Sequence, residues 1–87
     1  MLQYLPKWIM RRAQMLWNSV GSRPFTFAEA QKALTGDDSR MVAVILSELK
    51  RSGWLEVSVD LHNARKKLYQ FTRPETMKEV AKIDVDG

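Results

Sequence analysis

A chain of 87 residues with 45% apolar side chains, 28% charged ones and a formal charge of +4 has room for one small domain and is not the composition of a disordered tail. It contains no cysteine and one histidine, which excludes a disulfide framework, a thiolate metal site and a cysteine nucleophile. The opening MLQYLPKWIMRRAQ is broken by Lys7, Arg11 and Arg12, so it reads as neither a signal peptide nor a membrane span, and the expected location is cytoplasmic.

The first element is a helix that starts near Pro6, whose missing N–H costs nothing in a first turn. Ile9, Ala13, Leu16 and Val20 recur at helical spacing and predict one buried face, which Gly21 ends. Trp17 flanks that face. Trp8 and Met15, seven residues apart, fall on the other side among Arg11, Arg12 and Ser19. FTFAEAQKAL then opens with a capping box, Thr26 to Glu29, with Phe25 and Ala30 at the hydrophobic-staple positions. It predicts a second helix of about two turns, with Phe27, Ala30 and Leu34 as its apolar face and Gly36 as its stop. DDSRMVAVILSELKRSG predicts the third and clearest helix. Asp37 or Asp38 can cap it, Val42, Ile45, Leu46 and Leu49 form its buried stripe, and Lys50 and Arg51 suit its negative end. At 100° per residue, Arg40, Val44, Ser47 and Arg51 point outward.

Two strands follow. Trp54–Val59 alternates, with Leu55, Val57 and Val59 on one face; Lys67–Thr72 alternates with Tyr69 and Phe71 on one face. The intervening DLHNAR predicts a loop longer than the two residues a tight hairpin needs. After Pro74, ETMKEVAKI predicts a last helix with Met77, Val80 and Ala81 on one side, and DVDG is expected to fray.

Charge is unevenly placed. Residues 40–73 hold seven basic side chains against three acidic ones, whereas residues 74–87 hold two against four. The excess lies where the hairpin lies, which points to a polyanionic partner. The alternative for Arg65, Lys66 and Lys67 is that they keep an exposed hairpin edge from pairing with another chain. His62 has no second ligand in view and reads as a solvated loop residue, so no metal and no cofactor are expected. Adjacent carboxylates at a helix start are far more often caps than catalysts, and Ser39 and Ser47 have no base placed for them. With no convergent acid, base, nucleophile or metal cluster, an enzymatic role within these residues is not expected.

Helix, short helix, long helix, basic hairpin and helix, in that order, resemble the winged-helix (winged helix-turn-helix) DNA-binding family over roughly residues 7–73. The residues that carry the resemblance are LKRSGWLEV, where Leu49 stands four before Gly53 and a large apolar residue follows, and RKKLYQFT, a basic start followed by Tyr69, Phe71 and Thr72. The resemblance implies an α+β, mostly α, fold: a three-helix core with a two-stranded antiparallel wing, over residues 1–73, then a C-terminal helix and frayed tail over 74–87. It implies binding of double-stranded DNA, as a transcriptional regulator, with helix 3 in the major groove and the wing on phosphates. Arg40, Ser47 and Arg51 would then face the groove, Arg65, Lys66 and Lys67 the backbone, and Lys50 would be a further DNA-binding residue. Many members offer polar side chains at the outward middle of helix 3. Ala43 and Val44 stand there instead, able to touch a thymine methyl but making few hydrogen bonds. Two other uses fit the same residues: a protein-contact or oligomerisation module, or an accessory module of a longer polypeptide acting on nucleic acid. A homodimer is expected through Trp8 and Met15 on helix 1 and Met77 and Val80 on the last helix, unless the last helix packs on helix 1 within the chain.

Overall fold

The carbonyl of Pro6 accepts from the amides of Ile9 and Met10 at 3.1 and 3.0 Å, starting α1, Lys7–Val20. The computed structural model describes residues 5–82, apart from the side chains at 64 and 80–82; the expected frayed end lies outside the described residues. The face of α1 expected inside is the face found inside: Ile9, Ala13, Leu16 and Val20 are buried. Helix α2, Phe27–Ala33, begins with the expected capping box, in which the Glu29 amide donates to Thr26 Oγ1 at 3.2 Å and the Thr26 amide to Glu29 Oε1 at 3.1 Å. It ends earlier than expected. Leu34, not Gly36, is its C-cap, and Gly36 does not take a positive φ.

The two candidate caps of the third helix divide the work. For α3, Ser39–Arg51, the Asp38 carboxylate accepts from the Met41 amide at 2.8 Å. Asp37 instead accepts two hydrogen bonds from Arg12 of α1, from Nε and Nη2 at 3.2 Å each, which ties the α2–α3 turn to α1. The same guanidinium lies 5.9 Å from the Trp8 ring centroid, within cation–π range. Val42, Ile45, Leu46 and Leu49 are buried, as the 3.6-residue period requires.

The end of α3 is a Schellman motif. The Trp54 amide donates to Leu49 O at 2.9 Å and the Gly53 amide to Lys50 O at 3.1 Å, with Gly53 at φ 87°. Leu49 and Trp54, the apolar pair that accompanies such a motif, are both buried. This geometry is what LKRSGW encodes, and it turns the chain directly into the hairpin. Thr72 closes the hairpin's base, its amide donating to Trp54 O at 3.0 Å and its hydroxyl to Gly53 O at 2.7 Å.

The hairpin departs from expectation at its tip. Strand β1 runs Leu55–Asp60 and β2 runs Asn63–Phe71, antiparallel, so Leu61 and His62 alone connect them. The expected long loop is a tight turn. Asp60 accepts from the His62 amide at 2.8 Å and Asn63 from the Arg65 amide at 3.1 Å, side-chain bonds that hold short turns. The extra length is taken up as an irregularity instead: Asp60 pairs with Asn63 but Val59 with Lys67, so residues 64–66 have no partner on β1. Arg65, Lys66 and Lys67 therefore lie on a strand.

A third extended segment joins the sheet. Phe25 and Tyr69 exchange both backbone hydrogen bonds at 2.8 Å, on the edge of β2 away from β1. The Phe25 side chain is fully buried, stacked on Tyr69 at 5.8 Å and tilted against Phe71 at 6.1 Å, while Trp17 meets Phe71 edge-on at 5.5 Å. The core thus joins the inner faces of α1, α2 and α3 to the base of the hairpin. Helix α4, Pro74–Lys82, returns to pack on α1, and its Met77 is fully buried in that same cluster.

Candidate nucleic-acid interface

Burial falls off along the hairpin and so decides which side chains can meet a partner. Leu55 and Phe71, paired at the base, are buried; Val57 and Tyr69 are half-buried; Val59 and Lys67 are exposed. Strand alternation puts Lys67 on the same face as Tyr69 and Phe71, but beyond the edge of the core. Lys67 therefore continues the core-facing side of the wing out into solvent, where it faces the outer surface of α3.

Between them lies a shallow groove of about 200 Å³, bordered by Ala43, Ser47 and Lys50 of α3, Phe27 of α2, and Val57, Lys67 and Tyr69 of the hairpin. Lys50, Lys67 and Ser47 line this groove together with the apolar Leu46, Phe27, Val57 and Tyr69. A cleft with two cations at its border and low-dielectric walls concentrates positive potential. A phosphate oxygen can accept from lysine or serine donors in such a place.

The remaining candidates are spread more widely. Arg40 is exposed in the first turn of α3, at the end of the helix far from Lys50. Arg65 and Lys66 are exposed on β2 between Lys67 and the turn. Arg51 is exposed but engaged: its Nη2 donates to both carboxylate oxygens of Glu48, at 2.6 Å for Oε2. Such an exposed pair is weak and exchangeable, yet it sets an acid beside Arg51 and engages one nitrogen of its guanidinium. Of the residues expected at a dimer face, Trp8 and Met15 are 42% and 43% exposed on α1. Met77 is not available: it is in the core, because α4 folds back on α1 within the chain. The Val80 side chain lies outside the described residues.

Sequence reasoning named Ser47, Lys50 and Lys67 separately and did not join them. The signal that could have done so was the parity of β2. Lys67, Tyr69 and Phe71 share a face, and the last two had to face the core. Phe27 and Val57 each fall on an apolar face in the sequence pattern, but nothing in either pattern places them beside α3 in one groove. Among the described residues, no three His, Cys, Asp or Glu side chains gather as a metal ion would need, and no helix is long and apolar enough to cross a membrane.

No family model matches the chain. In sequence it is 34% identical over 71 residues to the type I restriction enzyme MjaVII methylase subunit of Methanocaldococcus jannaschii. That match covers 79% of this chain but only 12% of the methylase subunit. In structure it is similar to the adhesin competence repressor AdcR of Streptococcus pyogenes, with a TM-score of 0.63, 22% identity, and 85% of this chain and 51% of that chain covered. A MepR mutant of S. aureus bound to an oligodeoxyribonucleotide gives 0.64, 18% identity and 87% and 54% coverage. Diamide-treated YodB of B. subtilis gives 0.64, 19% identity and 92% and 87% coverage. The architecture shared with these proteins, helices α1 to α3 with a β1–β2 hairpin entered directly from α3, identifies the fold of this chain as a winged helix.

Proposed function

We propose that the chain binds double-stranded DNA, with the outer face of α3 in the major groove and the β1–β2 hairpin along the phosphate backbone, as the DNA-holding part of a transcriptional regulator. The observation that carries this reading is the convergence of Ser47 and Lys50 of α3 with Lys67 of β2 on one groove. A helix face and a wing that share a basic cleft suit a duplex, which presents a groove and a flanking phosphate row together. That one structural neighbour is described as a repressor and another as bound to an oligodeoxyribonucleotide supports the reading. Arg65 and Lys66 extend the basic surface toward the tip, and Arg40 extends it along α3. Trp8 and Met15, exposed on α1, are the proposed contacts of a homodimer.

A second reading is favoured by the methylase relative, of which this chain matches about an eighth. On that reading the chain is the duplex-holding module of a longer polypeptide that modifies DNA. The two readings share the contact surface and differ in what is attached to it. Locating the segment in its native polypeptide separates them.

The shared surface is tested by binding to random duplex at two salt concentrations. Replacing Arg65, Lys66 and Lys67 together by Ala should weaken binding to all sequences alike and flatten the salt slope by up to about three phosphates' worth. Adding Lys50→Ala should flatten it further. Unchanged affinity in the fourfold variant would remove this surface from the function of the protein.

A further inference from the structure

The middle of α3 presents a methyl-bearing surface where the proposed DNA-facing side would be expected to present hydrogen-bond donors. Val44 is 43% exposed and lies at the centre of the outward face, with Arg40 one turn before it and Ser47 and Arg51 in the turns after it. Exposed Ala43 stands beside it toward the wing, and Met41, 37% exposed, borders the other side. Polar readout from this helix is correspondingly thin. One nitrogen of Arg51, Nη2, sits in an exchangeable surface pair with Glu48, and Ser47 borders the groove it shares with Lys67. An exposed β-branched residue is also a poorer helix former than alanine or a straight-chain residue, so Val44 is not there for the helix.

We propose that Val44, flanked by Ala43, reads the C5 methyl groups of pyrimidines in the major groove. This rests on the DNA-binding reading above and adds to it a determinant of base preference. The thymine methyl is the one apolar group on the major-groove edge of the four bases, and apolar side chains recognise it by contact. The methyl of 5-methylcytosine occupies the corresponding place. A valine pressed against such a methyl removes about one methyl group's worth of base surface from water, which is about a fourfold change in affinity per contact.

The test compares alternating adenine–thymine duplex with the same duplex carrying uracil for thymine, and guanine–cytosine duplex with its 5-methylcytosine form, all at one salt concentration. The wild-type chain should bind the methyl-bearing member of at least one pair about fourfold more tightly. Val44→Ser, which exchanges an exposed side chain and should leave the helical circular dichroism unchanged, should abolish that difference without altering the salt slope. A thymine-only difference assigns the natural methyl, and a 5-methylcytosine difference assigns a modified base. Equal affinity within both pairs overturns the proposal, and so does a methyl preference that survives in Val44→Ser, since duplex shape would then be its source. If the thymine duplex itself is not bound at low salt, the DNA-binding reading falls, an outcome distinct from equal binding to both members of a pair.

Discussion

At the scale of single residues, the division between inside and outside on α3 carries both stability and the proposed contact surface. Leu46 and Leu49 are 2% and 0% exposed, whereas Val44, two residues before Leu46, is 43% exposed. Leu46→Ala or Leu49→Ala should each destabilise by roughly 2–5 kcal/mol, the transfer and cavity cost of emptying a buried leucine site. In a domain of this size that is a large share of the total stability. Val44→Ala should be nearly neutral, and urea titrations of the three variants provide the comparison. Comparable losses at Val44 and Leu46 would mean that the outer face of α3 is covered by something. This division was legible in the sequence, because eight apolar positions on α1 and α3 recur at 3.6-residue spacing and no competing period fits them. Phe25 was not legible in full. Its place before the capping box predicted a staple, but its pairing with Tyr69 joins residues far apart in the chain, and no local pattern announces a single bridge. The Arg12–Asp37 pair is hidden for the same reason.

At the scale of elements, two glycines that look alike in sequence do different work. Gly53 holds φ at 87° inside the Schellman motif that ends α3 and starts the wing. Gly36, expected to stop α2, lies after a helix that has already ended, has no positive φ, and has nothing within 4 Å of where a Cβ would stand. Gly53→Ala should therefore cost about 1–2 kcal/mol, the penalty of a Cβ in left-handed backbone. Gly36→Ala should be neutral or stabilising by up to about 1 kcal/mol, through the unfolded chain. Thermal melts of both variants decide it, and equal losses would contradict the backbone geometry on which the α3–β1 junction rests. The junction was legible because LKRSGW places a glycine and an apolar pair at fixed offsets. The hairpin tip was not. DLHNARK offers Asp60 and Asn63, three apart, and either a tight turn with an irregular second strand or a longer loop satisfies that composition. The choice rests on register: pairs at the hairpin base place Lys67 opposite Val59, and Asp60 and Asn63 then close a two-residue connection. The basic side chains in consequence lie on the outer part of a strand rather than on a loop.

At the scale of the whole molecule, the question is what α4 leaves uncovered. A dimer built on both α1 and α4 was one expectation, with intrachain packing of α4 as its alternative. The fold takes the alternative for Met77, which is fully buried as α4 packs on α1. Yet Trp8 and Met15 remain 42% and 43% exposed, two turns apart on α1. The Arg12 guanidinium near the Trp8 ring lies between them in sequence and covers part of that surface. Among the described residues, the proposed homodimer then rests on α1, through a patch centred on two half-exposed side chains. A stable interface buries about 800 Å² on each partner, and such a patch falls short of that without neighbours such as Arg11 and Asn18. The expected association is therefore weak and dependent on concentration. Trp8→Glu with Met15→Glu should abolish it in sedimentation while helical circular dichroism persists, because both side chains stand outside the core. Met77→Glu should instead unfold the chain, since it places a charge in a fully buried site. Wild-type protein that sediments as a monomer at the highest soluble concentration would sink the homodimer. Loss of folding in the Trp8→Glu, Met15→Glu variant would show that this face of α1 is part of the core after all.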